Sequence, residues 1–204
     1  RATWSRMLLA EAGRIGASAL LLGARGAPGA LALREAWVDW QERATGGRVH
    51  PMINRIGGLE QALPGSSLVQ IIELVSLAQQ YATSWMEYID DCTDLHGLAR
   101  LDHRTARTFA CSGAVGHASG VDWDIRRDDP YLAYNEIDVD WSTPVLTQGD
   151  AHARYQSLVE SVRLSAKIIG DCVTRLHDLA DDPFSVSLPK TLRTPESVVH
   201  VWTQ

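Results

Sequence analysis

Residues 67–91 read SLVQIIELVSLAQQYATSWMEYIDD, and this stretch decides the fold class. Its apolar side chains recur at spacings of three and four, which is the period of one face of an α-helix. The stripe consists of Leu68, Ile71, Val75, Ala78, Ala82, Trp85 and Ile89. Four more apolar side chains widen it: Leu74, Leu77, Tyr81 and Tyr88. We expect such a helix to lie buried among several neighbours, and Ser67 and Gln70 predict a capping box at its start.

Four further segments have a helical pattern: residues 3–22, 31–45, 103–110 and 151–180. The first is expected to end at Gly23, because glycine favours helix termination. The third follows Asp102, a residue type that is favoured at helix N-termini. The last has one apolar face, expected to point inward, and one charged face, expected to point outward.

The remaining residues predict loops. Residues 181–196 are rich in Asp, Pro and Ser and predict an extended loop, whereas 197–202 alternate weakly and would form a strand only with partners. We therefore expect one mainly α domain, a helical bundle with long loops and little β structure. Its helical core spans residues 1–180, and residues 181–204 form the extended loop and terminal strand of the same domain.

Composition excludes several classes of function. The chain has 204 residues, a net charge of −6 and 22% charged residues, which suits one soluble domain or most of a larger one. Its mild acidity argues against a nucleic-acid surface. No uninterrupted apolar run approaches the roughly 18–20 residues that span a bilayer, so we expect no transmembrane segment. A first residue other than Met predicts a chain that begins inside a longer gene product.

Three cysteines, Cys92, Cys111 and Cys172, lie far apart and form no Cys-x-x-Cys pair. This pattern argues against a disulfide framework or a local metal cage and indicates a reducing compartment. The seven histidines show no His-Glu-x-x-His spacing, so we expect no metal site. The hydrolase nucleophile elbow, the phosphate loop and the dinucleotide fingerprint are also missing from the sequence.

Residues 112–134, SGAVGHASGVDWDIRRDDPYLAY, combine glycines, small residues and a dense charge block. We interpret them as a recognition loop between long helices. Asp124, Arg126 and Arg127 would form either a solvated salt-bridge cluster or a buried ion-pair lattice at an interface. The neighbouring Trp123 favours burial.

Arg55-Ile56-Gly57-Gly58 is a second candidate segment. One interpretation is a tight turn that joins two helices. The other is a close approach of the backbone to a ligand or neighbouring subunit, with Arg55 supplying charge. Both interpretations require glycine, because it allows tight turns and close backbone contacts.

A set of short motifs, in this order along the chain, resembles one family. They are Arg34-Glu35, Gly46-x-Arg48-x-His50, Arg55-Ile56-Gly57-Gly58, Leu63-Pro64, Ser112-Gly113, Ala118-Ser119-Gly120-Val121, Trp123-Asp124-Ile125-Arg126-Arg127, Pro130-Tyr131, Tyr134 and Gly149-Asp150-x-x-Ala153-Arg154. The family is the D subunit, or quinone-pocket large subunit, of NADH:quinone oxidoreductase (complex I). This subunit is related to the large subunits of nickel–iron hydrogenases, so the resemblance implies a bundle of the hydrogenase-large-subunit type.

The resemblance implies a peripheral subunit on the cytoplasmic face of the membrane, packed against an iron–sulfur subunit of a multi-subunit redox complex. Quinone would be reduced at their junction by electrons from the partner's cluster. NAD binding would belong to the complex, with NADH oxidised on another subunit. We expect no cofactor bound directly by this chain, no nucleic-acid partner and no activity of the isolated chain.

The site candidates combine the resemblance with the segments above. Ser18 stands where the family has a histidine near the iron–sulfur cluster, so Ser18, Arg55, Gly57 and Gly58 are candidates to face quinone or the cluster. We expect Asp124, Arg126 and Arg127 to form ion pairs at the interface. The hydrogenase Cys-x-x-Cys pairs are missing, so no nickel–iron centre is expected. Two alternatives are a catalytically silent scaffold that assembles with an iron–sulfur partner, and a stand-alone binding protein.

Overall fold

The computed structural model describes residues 1–141 and 144–191, and within them the chain is mainly α. The helices are α1 (Ala2–Arg25), α2 (Ala30–Thr45), α3 (Gly65–Asp90), α4 (His103–Thr108), α5 (Gly113–Ala118), α6 (Ile125–Asp128) and α7 (Ala151–Asp178). Short 3₁₀ turns occur at Thr93–Leu95 and Tyr134–Glu136. The strands β1 (Asn54–Arg55) and β2 (Gly58–Leu59) form an antiparallel hairpin. The expected fold class, mainly α with little β structure, is confirmed.

The core lies between the long helices. Helix α7 packs against α1, α3 and α5, and α2 packs against both α1 and α3. Two tryptophans are fully buried, and each indole N–H has an acceptor: Trp40 donates to Ser67 O and Trp85 to Pro28 O, both at 2.8 Å. A buried indole needs such a partner, so these bonds fix how α2 and α3 meet their neighbours.

The apolar stripe of α3 is confirmed, but its expected central position is wrong. Its inner face, including Ile71 and Trp85, is buried, while Val69 and Leu77 are exposed. The helix therefore buries one face against α2 and α7. The central helix is α7, because it has neighbours on three sides.

Two predicted helix ends are also wrong. Helix α1 continues past Gly23 and ends at Gly26, whose left-handed φ of 98° closes the helix. Gly23 instead allows a close contact, since a Cβ there would lie 2.6 Å from side-chain atoms of Leu31. The predicted capping box at Ser67 is absent, because α3 begins two residues earlier, after Pro64, and Ser67 is buried within the helix. Asp102 does cap α4 by accepting a hydrogen bond from Thr105 N at 2.9 Å, as predicted.

The segment 112–134 is more ordered than the predicted loop. It contains α5 and α6, and Asp124 caps α6 by accepting a hydrogen bond from Arg126 N. Helix α5 packs against α7, so the segment is part of the helical bundle. Helices of four and six residues carry too little periodicity to be recognised by pattern.

The expected absence of a transmembrane segment stays a prediction. Helix α1 is long and apolar enough to cross a membrane by length and composition, and half of its most apolar window is buried in the fold. Core helices meet the same criteria. The strand expected over residues 197–202 lies outside the described residues. Residues 181–191 contain no helix, and Ser185 forms an isolated antiparallel bridge with Gly58.

Candidate functional site

A buried carboxylate on α1 organises the interior. Glu11 is fully buried, and its two oxygens accept three hydrogen bonds. Tyr134 OH donates to Oε1 at 2.6 Å, while Ser165 Oγ at 2.6 Å and Arg126 Nη1 at 2.9 Å donate to Oε2. These donors come from the α6 region, the turn after it and α7. A buried charge is tolerated only when it is paired and hydrogen-bonded, and Glu11 meets both conditions.

Arg126 joins Glu11 to a second carboxylate. Its Nε donates to Asp124 Oδ1 at 2.9 Å and its Nη2 to Oδ2 at 2.6 Å, a bidentate pair with both side chains about 95% buried. Burial alone would lower the pKa of Arg126, but its bonds to Asp124 and the charge of Glu11 raise the pKa above its ordinary value. Burial likewise opposes ionisation of Asp124, yet Arg126 holds the pKa of that carboxyl below its usual range.

The neighbouring Arg127 has a different environment. Its side chain is 28% exposed, and it pairs with Asp122 Oδ1 at 2.9 Å and Asp128 Oδ1 at 2.8 Å. Each alternative describes the burial of part of the charge block, but the expected place of these ion pairs at an interface stays a prediction. Asp124 and Arg126 form a buried lattice within this chain, and Arg127 belongs to a solvated cluster.

The Arg55-Ile56-Gly57-Gly58 segment is the turn of the β1–β2 hairpin. Val186 N donates to Gly57 O and Leu59 N to Phe184 O, both at 2.9 Å, so residues 184–186 lie along this hairpin. Gly58 has φ of 145°, and a Cβ there would lie 2.3 Å from Phe184 O. The close backbone approach in the structure is to this chain's own residues 184–186, whereas the second interpretation expected a ligand or a neighbouring subunit there.

Two arginine side chains contact this hairpin, one from α1 and one from the hairpin itself. Arg6 Nη2, on α1, donates to Arg55 O at 2.8 Å and Gly58 O at 2.7 Å. The Arg55 guanidinium is about half exposed and pairs with Glu60. The hairpin is thus fixed at its base, while the Arg55 side chain and the tip residue Ile56 face outward.

The structure does not bring Ser18 to the hairpin. Ser18 is buried on α1, twelve residues beyond Arg6, and an α-helix rises about 18 Å over that length. Glu11 lies between them on the same helix. The candidate residues therefore occupy three successive levels along α1: the hairpin, the buried network and Ser18.

A groove of about 270 Å³ runs between α1 and α2; Ala17 lines it, and its buried neighbour Ser18 does not. Its floor is formed by Gly13, Gly16 and Ala17 of α1, where Cβ atoms on the two glycines would meet nothing within 4 Å. Its rim carries the charges of Glu35 and Arg48, which form an ion pair with each other. This surface combines a small-residue floor with a charged edge.

The sequence patterns did not identify Glu11, Tyr134 and Ser165 as members of the network. One signal was present for Glu11, which lies four residues after Met7 and four before Ile15, on the buried face of an apolar helix. A charged residue on such a face requires an internal partner. The sequence patterns marked Arg126 and Tyr134 without linking them to Glu11, and they did not mark Ser165.

The titratable residues outside the network form no metal cluster. Among the described residues, no group of three or more His, Cys, Asp or Glu side chains could hold a metal ion. The histidines are less dispersed than their spacing indicates, because the rings of His96 and His152 stack with centroids 4.0 Å apart. Cys172 is buried among apolar side chains, and burial raises its pKa to about 12.

Comparison with known proteins identifies the class. The family model described as respiratory-chain NADH dehydrogenase, 49 Kd subunit, matches residues 27–203, so the chain belongs to that family. It is similar to the D subunit, copy 1, of the NADH-quinone oxidoreductase of Streptomyces coelicolor, at 34% identity over the whole chain and 56% of that relative. It is also similar, at 32% identity, to the copy-2 D subunits of Streptomyces griseus and Salinispora tropica, again over the whole chain and 55% of each relative. The chain thus spans about half the length of these relatives. The resemblance to the D subunit of complex I is confirmed at the level of the family.

Proposed function

We propose that this chain is part of a respiratory NADH:quinone oxidoreductase and helps to form the quinone-reduction site at the junction with an iron–sulfur subunit. The observation that carries the proposal is the match of the whole chain to D-subunit relatives. The complex would lie at the membrane, with this chain peripheral on the cytoplasmic face. Quinone would be the substrate, and the iron–sulfur cluster and the NADH site would belong to other subunits.

The contacts in the structure support a role for each candidate segment in this proposal. The β1–β2 hairpin presents the Arg55 cation from a backbone that Gly57 and Gly58 allow to pack tightly. The groove between α1 and α2 is the surface on which the iron–sulfur subunit would dock. The Glu11–Arg126–Asp124 network lies between the hairpin and Ser18 along α1. Its hydrogen bonds join α1 to α6 and, through Ser165, to α7. In such a site the protein supplies positioning and electrostatics, and the redox chemistry belongs to the partner's cluster.

A second candidate function is a catalytically silent scaffold that assembles with an iron–sulfur partner without transferring electrons. Ser18 favours it, since the family resemblance implies a histidine at this position. A serine hydroxyl does not titrate near neutral pH, so it cannot supply the proton-exchanging ring that a histidine would provide.

The two functions are distinguished by isolating the protein from its source through an affinity tag on this chain. Co-purification of an iron–sulfur subunit together with quinone reductase activity supports the proposed function. A bound iron–sulfur subunit without activity supports the scaffold, and failure to recover such a partner contradicts both functions.

The role of Arg55 is tested in the same preparation. Arg55→Met is expected to lower quinone reduction about tenfold, because it removes a charged donor from the site. Arg43→Met on the exposed surface of α2 is the matched control and should leave the rate unchanged. Equal rates for both variants would remove Arg55 from the site.

A further inference from the structure

A small polar cavity adjoins the buried network. Its volume is about 30 Å³, and it lies between α1, α5, the α6 region and α7. Its polar lining consists of Arg14, His117, Asp124, Arg126, Ser157 and Ser161. A cavity needs roughly 10–15 Å³ and at least two polar partners to hold a water molecule, so both conditions are met.

Arg14 supplies a donor to this cavity. Its Nε is buried and has no hydrogen-bond acceptor within the described part of the chain. Glu11 Oε2 lies 3.7 Å from this nitrogen, which is too far for a direct hydrogen bond. A polar contact longer than about 3.5 Å raises the question of a bridging water molecule.

Two other lining residues supply acceptors. His117 Nε2 lies 3.1 Å from Trp123 O, and a carbonyl only accepts, so Nε2 carries the proton and Nδ1 of the neutral ring is an acceptor. Ser157 Oγ donates its proton to Ala153 O at 2.9 Å, which leaves lone pairs on this oxygen to accept a hydrogen bond. The lining therefore contains both an unused donor and acceptors.

The charges around the cavity favour a neutral ligand. Asp124 and Glu11 both bond to Arg126, and Glu11 also attracts Arg14 at 3.7 Å. Two cations thus face two carboxylates, and no net charge remains to recruit an ion. We propose that the cavity is an ordered-water site that links Arg14 to the Glu11–Arg126–Asp124 network. The bound water accepts a hydrogen bond from Arg14 Nε and donates to acceptors of the lining.

The first test is a high-resolution crystal structure of the full chain, grown with and without bromide. We expect one density peak at hydrogen-bond distance from Arg14 Nε, with no anomalous signal in bromide. A cavity without density, or an anomalous bromide peak in it, would overturn the proposal.

A second test uses Ala114, which also lines the cavity. Ala114→Leu fills the space and displaces the water, so the folding equilibrium constant is expected to fall about tenfold as Arg14 Nε loses its partner. Ala114→Ser is the matched control and should change this constant less than about twofold. If the cavity contains no water, Ala114→Leu should instead raise the folding equilibrium constant, because filling an empty space stabilises a fold. Should Ala114→Leu fail to fold, the density in the unaltered chain still decides the question.

Discussion

Glu11 accepts hydrogen bonds from donors that lie 115, 123 and 154 positions away along the chain. The burial of Glu11 follows from its place on an apolar helix face, so this part was accessible from sequence. Its partners were not, because residue type and local spacing carry no information on which distant arginine or tyrosine reaches it. For the same reason, the sequence left open whether Arg126 is solvated or buried.

Arg126 is the residue whose loss should cost most stability. Arg126→Met leaves Glu11 and Asp124 buried without their shared cation, and breaking a buried pair in this way costs about 3–5 kcal/mol. Arg127→Met, at the adjacent solvated position, should cost less than about 1 kcal/mol. Urea denaturation of both variants measures the difference. Equal losses would mean that the Arg126 lattice is no stronger than a surface salt bridge.

Asp124 should make stability depend on pH in the acid range. Arg126 holds its pKa in the folded state below the unfolded value of about 3.9, so the unfolded chain binds the proton more readily. The stabilisation is therefore fully present above about pH 4 and is lost as pH falls through the folded pKa. Asp124→Asn should flatten this acid limb in denaturation profiles taken from about pH 6 to about pH 2. An unchanged acid limb would assign the pH dependence to other carboxylates.

The long helices were predictable because each buries one continuous apolar face, while their ends depended on contacts that the pattern does not contain. Gly23 and Gly26 are both glycines near the end of α1, yet one packs against Leu31 and the other takes the left-handed conformation that ends the helix. Ser67 has the right spacing for a cap but lies inside α3, where its carbonyl oxygen accepts a hydrogen bond from the Trp40 indole N–H. Tertiary packing decided both cases.

The β1–β2 hairpin depends on one glycine that no other residue can replace. At Gly58 a side chain would meet Phe184 O, and the backbone conformation alone costs about 1–3 kcal/mol for other residues. Gly58→Ala should therefore destabilise the fold by at least that amount and free residues 184–186. Gly170→Ala, in the interior of α7 with open space around it, is the matched control and should stabilise by about 0.5–1 kcal/mol. Thermal denaturation and hydrogen exchange at Val186 measure both effects.

Across the whole molecule, α1 connects everything that the proposed function requires. Arg6 holds the hairpin near the start of α1, Glu11 anchors the network, and the groove is lined by α1 residues from Ala12 onward. The motifs that identified the family lie mostly outside α1, so the sequence revealed the family without revealing this arrangement. Under the proposed function, variants in the hairpin test quinone reduction and variants in the groove test assembly with the iron–sulfur subunit.

The groove between α1 and α2 is the surface at which assembly with the iron–sulfur subunit can be tested. Gly13 and Gly16 line it with open space above them, so Gly13→Leu combined with Gly16→Leu should leave the fold intact and raise helix propensity by roughly 1 kcal/mol for each glycine. The new side chains would occupy the groove, so an iron–sulfur subunit should no longer co-purify with the chain. Gly170→Leu on α7 is the control for helix propensity, because it gains propensity on another helix and should retain the partner. Retention of the partner by the groove variant would place the iron–sulfur subunit on another face, while the stability gain would still show that the variant folds.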